Sequence, residues 1–405
     1  MGFDKIVSVN DFGGDMTEKL YDKDAYASEF SASVVKIEKS ADGKTAIELD
    51  KTLFFPLEGG QNPDTGVIID ASGKEYNVID VKIKDDVITH YIEGDCNIKE
   101  GDSVTGKIDF AHRFDLMQHH SGEHIFSGIT YGKYGYNNVG FHLTEEICTI
   151  DVGGPLKEDE IKELEYLTNK AISENVPIVT GYPSPEEIAK LEYRSKKEVK
   201  GPLRIVEVKG YDVCACCAPH VRSTGEVGSF HIVKYENYKG GVRLTVKCGL
   251  RAVREYQNYR QILQDTGRAL SSAKEDLYAN VMKLKDEAGL LQAELNALKE
   301  KAIADKVAAI ANTDKPICLL EDDMDATLLR NYCNALMNKT TSHVFILVHT
   351  ATEGTYRFIL GSNTVDVAAL LNEAKTHFAI KGGGRNPQVQ GTVEGDVKEV
   401  LQYFE

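Results

Sequence analysis

Two short stretches, nearly a hundred positions apart, restrict this chain more than its composition does. DLMQHHSGEHIFSG (115–128) sets His120 and His124 four residues apart, and CACCAPHVRSTGEVG (214–228) sets Cys216 and His220 four apart. On a helix, residues i and i+4 share a face at about 6 Å, so His120 and His124 can hold one tetrahedral metal ion, typically zinc. A single site needs a fold that closes the two pairs around one ion. His119 is out of phase with that face and reads as a supporting or surface residue. Cys214-x-Cys216 and Cys217-x2-His220 are competing spacings, so Cys214, Cys216 and Cys217 all stay open as thiolate donors. HSGEH also fits H-x-x-E-H, the inverted zinc-protease motif, with Glu123 as general base. The small size of the domain counts against that reading. So does the natural third ligand, which is Cys216 or His220 and not a distant glutamate.

The length of 405 residues suggests two or three domains. With 42% hydrophobic and 27% charged residues, the chain has the makeup of a soluble globular protein. No apolar run approaches the ~18 residues that span a bilayer, and MGFDKIVSVNDFGG lacks the zones of a signal peptide. Gly2 is a poor myristoylation site because Ile6 stands where Ser or Thr is required. A cytoplasmic, membrane-free protein is expected. There, eight cysteines with three in CACC point to metal or redox chemistry over disulfides. A net charge of −16 argues against a broad nucleic-acid surface, and DNA is not an expected partner. Local basic patches at YRSKKEVKG (193–201) and IKGGGRNPQ (380–388) remain open.

The fold class expected is α+β in four segments. Residues 1–110 alternate short β-rich runs with turns and predict a β-barrel or sandwich. Within them, TLFFPLEGGQNPDTG (52–66) carries Gly59, Gly60, Pro63 and Gly66, which forbid regular structure. Residues 111–250 read as an α+β domain. It has a histidine helix, the strand ICTIDV, an amphipathic helix with Ile161, Leu164, Leu167 and Ile172 on one side, and a short helix capped by Ser184 before Pro185. Residues 251–312 predict a helical connector, either a hairpin or a coiled coil. Gly267 is expected to break it and SAKE (272–275) to restart it as a capping box. Residues 313–405 predict an α/β unit with a glycine string, KGGGRNPQVQG, near its end, which on its own reads as a flexible turn.

These motifs, in this order, resemble the editing domain of alanyl-tRNA synthetases. They resemble still more the long form of the free-standing alanyl-tRNA editing proteins, the AlaX group. FFPLEGGQNPDTG is similar to the group's glycine-rich motif at Pro56, Gly59, Gly60, Gln61, Asp64 and Gly66; GGVRLTV is similar to its closing strand, and GGGRNPQVQG to the glycine-rich end of the synthetase C-terminal domain. The group's CGGTH is CCAPH here, with Pro219 beside the ligand, and Leu57 and Glu58 interrupt its PEGGG-like run. Glu123 stands where Ala, Thr or another neutral residue is common.

The resemblance implies an ATP-independent, zinc-dependent hydrolase for tRNA(Ala) mischarged with serine or glycine. No segment here would serve as an aminoacylation core, so charging is not expected. His120, His124 and Cys216 are the expected ligands of Zn²⁺, with His220 as the fourth or a catalytic neighbour. Glu123 is the candidate proton carrier. Thr52 is the candidate reader of the seryl hydroxyl, supported by Gln61 and Arg222. Lys381, Gly382, Gly383, Gly384 and Arg385 are candidates for tRNA phosphate, through backbone N–H groups and charge. A homodimer through the connector or the C-terminal domain is a further expectation. The competing class is a non-catalytic RNA-binding zinc protein with a closed site of Cys214, Cys216, Cys217 and His220.

Overall fold

The computed structural model describes residues 16–40, 43–195, 202–322 and 324–405. The chain forms two compact units divided between Leu263 and Gln264. The first begins with β1 (Glu18–Lys19), the single turn α1 (Leu20–Lys23), β2 (Glu29–Lys39), β3 (Thr45–Leu49), β4 (Lys51–Thr52), β5 (Gly66–Ile69), β6 (Glu75–Lys84), β7 (Val87–Ile92) and β8 (Ser103–Ile108). Six of these close an antiparallel barrel in the order β2-β3-β7-β6-β5-β8, and β8 returns to β2 with Lys107 opposite Glu29. Alternation drives it: every second residue of β3 is buried. Val34, Ile47, Leu49, Val81 and Ile88 fill the interior.

The loop between β4 and β5 carries the glycine-rich motif, and two contacts fix it. A Cβ on Gly60, at φ +86°, would stand 2.3 Å from the Phe141 carbonyl oxygen. Only glycine lets the loop come that close. Deeper in, Asp64 accepts from Arg113 Nε at 2.8 Å and from Phe55 N at 2.6 Å, and both partners of the ion pair are fully buried. Arg113 also donates to the Leu53 carbonyl.

The chain then forms α2 (Phe110–Tyr134), β9 (Asn138–Leu143), β10 (Cys148–Val152), α3 (Glu158–Ser173), β11 (Ile178–Gly181), α4 (Pro185–Ile188), β12 (Ile205–Val208), β13 (Asp212–Ala215), a 3₁₀ turn (Thr224–Val227), β14 (Phe230–Tyr238), β15 (Gly241–Cys248) and α5 (Gly249–Ala269). Two sheets result, β14-β15-β10-β9 and β11-β12-β13. Asp109 caps α2 by accepting from His112 N, and Gly135 ends it in the left-handed region at φ 70°. α3, β13, β15, β9 and the 3₁₀ turn surround α2, so its middle is buried on nearly every side. Ser184 and Glu187 form the capping box of α4.

The second unit contains α6 (Leu277–Ala309), β16 (Ile317–Glu321), α7 (Ala326–Met337), β17 (Val344–His349), β18 (Thr355–Gly361), α8 (Val367–Ala374), β19 (Ala379–Arg385), β20 (Gln388–Glu394) and α9 (Val397–Phe404). Its sheet runs β16-β17-β18-β20-β19, and only β16–β17 is parallel.

Several expectations need correction. α5 continues through Gly267, and Ser272–Glu275 do not cap α6, which starts at Leu277 after Asp276. Ser272 N instead closes α5 by donating to the Gly267 carbonyl at 2.9 Å, and its hydroxyl accepts from Asn280. The C-terminal unit, expected as α/β, does combine helices with a sheet, and that sheet is mixed and largely antiparallel. Gly382–Gly384 form no flexible turn but lie in β19, the edge strand, each paired to β20. Glycine is needed at Gly382, φ +155°, because a Cβ would sit 2.4 Å from the Gln390 carbonyl oxygen. Of the basic stretch 193–201, residues 196–201 lie outside the described residues, as does the N-terminal stretch through 15. Arg194 is no solvated charge, since Asp212 engages it. Among the described residues, no helix is long and apolar enough to cross a membrane.

Candidate metal centre and active site

α2 presents His120 and His124 on one face, with ring centroids 5.5 Å apart and stacked. The chain returns after β13 with Cys216 and His220. The His220 ring stands 4.9 Å from that of His120 and 4.7 Å from that of His124. Cys216 Sγ lies 3.5 Å from His120 Nε2 and 3.4 Å from His220 Nε2. One ligand atom from each of the four residues falls within 4.8 Å of all the others. The two sequence pairs thus meet in space.

The outer nitrogen of each imidazole is taken by an oxygen. His120 Nδ1 donates to Gln61 Oε1 at 2.7 Å and His124 Nδ1 to Asp212 Oδ2 at 2.9 Å, while His220 Nδ1 meets Ser121 Oγ at 3.1 Å. An Nδ1–H so engaged leaves the Nε2 lone pair facing the cluster, which is the tautomer a metal ligand needs. Burial alone would raise the Cys216 thiol, but His120 beside it and the hydrogen bonds from His124 and His220 hold it well below the usual thiol range. Burial pushes His220 down to about 3, so its ring is neutral at physiological pH. Burial works against charge on His124 too, yet Asp212, Cys214 and Cys216 raise it well above the ordinary imidazole range. A thiolate whose surroundings favour positive charge has the charge balance a divalent cation supplies. The donor set fits zinc.

The cysteines separate. Cys216 joins the cluster, whereas Cys217 packs against the barrel core near Gly59. Cys214 lies with His124 and Asp212 in a second, overlapping group of ligand atoms. Asp212 is engaged there by Arg194, which donates through Nε at 2.7 Å and Nη2 at 2.8 Å. All eight cysteines are free. Arg204 holds the ligand loop by donating to the Cys216 carbonyl at 3.0 Å and the Ala218 carbonyl at 2.8 Å, while its Nε pairs with Asp22 at 3.2 Å.

The other candidates fall in different places. Gln61 touches the cluster through His120, and its Nε2 is buried without a partner among the described residues. Glu123 is buried, not the exposed helix-surface residue its position allowed. Its Oε1 accepts from Ser127 at 2.7 Å and from Asn138, and its Oε2 lies 3.8 Å from His124 Nε2. Thr52 is buried in the barrel, its hydroxyl 2.9 Å from His90 Nε2 and accepting from Phe54 N at 3.0 Å. Arg222 is exposed, stacks 3.9 Å from the Tyr26 ring centroid and reaches Asp24. His119 is neither surface nor ligand. Its Nδ1 donates to the Asp115 carbonyl and its Nε2 accepts from Cys248 N at 2.9 Å, tying α2 to the end of β15. Sequence reasoning missed Asp212, Ser121, Arg194 and Arg204. Arg204 and Asp212 are polar residues in otherwise apolar runs, Ser121 is an ordinary polar residue of the histidine helix, and Arg194 is one charge of a basic stretch.

Two family models match. Residues 15–112 match the class II (A) tRNA synthetases, and residues 203–245 match the second additional domain of threonyl and alanyl tRNA synthetases. The alanine–tRNA ligase of Ignicoccus hospitalis is 29% identical over 395 residues, covering 95% of this chain and 42% of the ligase. That of Pyrococcus furiosus is 30% identical, covering 96% and 43%. The alanyl-tRNA editing protein AlaX-L of Pyrococcus horikoshii is 28% identical over 401 residues, covering 95% of this chain and 97% of that protein. This chain thus spans less than half of the ligases but nearly all of the editing protein. It is a relative of the alanyl-tRNA editing proteins and of the corresponding part of alanine–tRNA ligases.

Proposed function

We propose that the protein is a trans-editing deacylase of the cytoplasm that hydrolyses the ester of seryl-tRNA(Ala), and also of glycyl-tRNA(Ala), without ATP. One observation carries the reading: four ligand atoms converge, each imidazole is oriented through its Nδ1, and the buried amide of Gln61 offers an unclaimed donor beside them. His120, His124 and Cys216 would hold a zinc ion, with His220 as the fourth ligand or a neighbour of the open position, and the ion would supply Lewis acidity there.

The chain's residues supply the rest. Ser127 and Asn138 hold Glu123 by one oxygen. Its Oε2 takes a proton from water as the water oxygen attacks the ester carbon. When the bond to the ribose oxygen breaks, the same carboxyl returns that proton to the ribose. Gln61 Nε2 donates to the substrate, and Thr52 reads the seryl hydroxyl through the lone pair left by His90 and Phe54. A site built to bond a hydroxyl rejects the analogue without it by several orders of magnitude. Arg222 acts at the surface, binding RNA, and not in the pocket. On edge strand β19, Lys381, Gly383 and Arg385 share a face by alternation, and they contact tRNA phosphate away from the reactive end. Two copies of the chain pair through the connector.

The test offers serine-, glycine- and alanine-charged tRNA(Ala) with and without chelator. Serine should be released much faster than alanine, and chelation should stop it. Equal loss of alanine would overturn proofreading. The rival structural quartet of Cys214, Cys216, Cys217 and His220 is not the set brought together. Four protein donors still suit a closed structural site, which would unfold on chelation. A catalytic site seated in this core keeps its helix signal.

A further inference from the structure

In the second unit α7 packs on β17 and β18, burying Val344, Ile346, Val348 and Ile359 beneath it. Beside that contact the same sheet face turns polar. Gln390 of β20 stands between Ile359 of β18 and Gly383 of β19, so by alternation Gln388 shares their face. Arg330 of α7 bounds the far side of a groove of about 150 Å³, lined by Arg330, Ile359, Gly383, Gly384, Gln388 and Gln390. A site for a whole small molecule runs to about 300–1,000 Å³. This groove therefore takes one ring system of a larger ligand.

The lining chooses the ring. Gln388 Nε2 donates to Asn334 Oδ1 at 2.7 Å and to Met337 Sδ at 3.5 Å, which leaves its amide oxygen as an acceptor. Gln390 adds an exposed amide and Arg330 an exposed fork of donors. No carboxylate lines the groove among the described residues. Gly383 is the second observation. At Gly382 and Gly384 a Cβ would meet β20 carbonyl oxygens at 2.4 and 2.9 Å, but at Gly383 it would meet nothing within 4 Å. The chain's own packing gives no reason for glycine there, and a strand interior disfavours it unless something approaches the backbone closely.

We infer that the groove holds one unstacked guanine of an RNA strand, lying flat on Gly383. Arg330 donates to O6 and N7, the commonest side-chain reading of guanine, and Gln388 Oε1 accepts from the N–H groups of its Watson–Crick edge. Adenine carries an amino group where guanine has O6, which sets donor against donor at Arg330. Lys381 and Arg385, two residues to either side of Gly383 on the same face, meet the neighbouring phosphates. Single strands and loops are where RNA sequence is read, because their bases are free of the stack. The inference rests on the RNA contact proposed for β19 and names what that strand reads.

Fluorescence anisotropy on the full chain tests it with labelled RNA pentamers. UUGUU should bind about tenfold tighter than UUAUU. Arg330→Met, at an exposed position, and Gly383→Val, which fills the groove with a residue that suits a strand, should each bring UUGUU down to the level of UUAUU. Lys381→Met should weaken both pentamers alike. Equal binding of the two pentamers, or a guanine preference that survives Arg330→Met, would overturn the base site and leave the RNA contact of β19 standing. Binding of neither would remove both. GMP bound as tightly as UUGUU would make this a free-nucleotide site and overturn the assignment to RNA.

Discussion

His124 Nδ1 and Asp212 Oδ2 stand 2.9 Å apart, and Arg194 grips the same carboxylate with two nitrogens. Asp212→Ala or Arg194→Met should therefore weaken zinc binding by about 10- to 100-fold, measured by chelator competition. Asp212→Asn, which still accepts from His124 Nδ1, should lose less. Equal affinity in all three would remove Asp212 from the centre's support.

The buried Asp64–Arg113 pair fixes the glycine-rich loop to α2. Removing one partner strands a buried charge, so Asp64→Ala or Arg113→Met should cost about 3–5 kcal/mol in urea unfolding. The double variant with apolar side chains should cost less than the sum of the singles.

His90 is buried, and burial pushes its pKa down to about 4 from an ordinary 6.5. Between those values the unfolded chain binds a proton the folded chain refuses, so stability rises with pH across the window. Acidifying from pH 6.5 to about 4 should remove up to about 3 kcal/mol at this residue, levelling off below. His90→Gln should flatten that part of the profile, read from urea midpoints at several pH values.

Thr52→Val keeps the shape but deprives His90 Nε2 of its hydroxyl donor. A loss of about 1–3 kcal/mol is expected, together with a smaller preference for serine over alanine esters. A stability loss with unchanged preference would confine Thr52 to the barrel.

The sequence made the barrel's alternation legible because each strand buries one face, and it made the ligand pairs legible because i,i+4 spacing is local. Pairing across distance was not legible. Asp212 faces His124 only once β13 packs on α2, and nothing in YDVC marks it out. Ser121 sits beside His120 as an unremarkable helix polar residue until the loop returns His220 to it. Gly382–Gly384 suggested a flexible turn because glycine disfavours strands. At Gly382 and Gly384 the reason lies in β20, whose carbonyls leave no room for a Cβ. SAKE matched a cap by spacing, but Ser272 was already committed to ending the helix before it.

One guanidinium suspends two carbonyls of the ligand loop and hooks onto Asp22 ahead of the barrel. Arg204 therefore acts as a rivet between the barrel's leading edge and the sulfur of Cys216. Prying those parts of the first unit open would drag the thiolate from the imidazoles, so release of the ion would report mechanical loosening before any strand came undone.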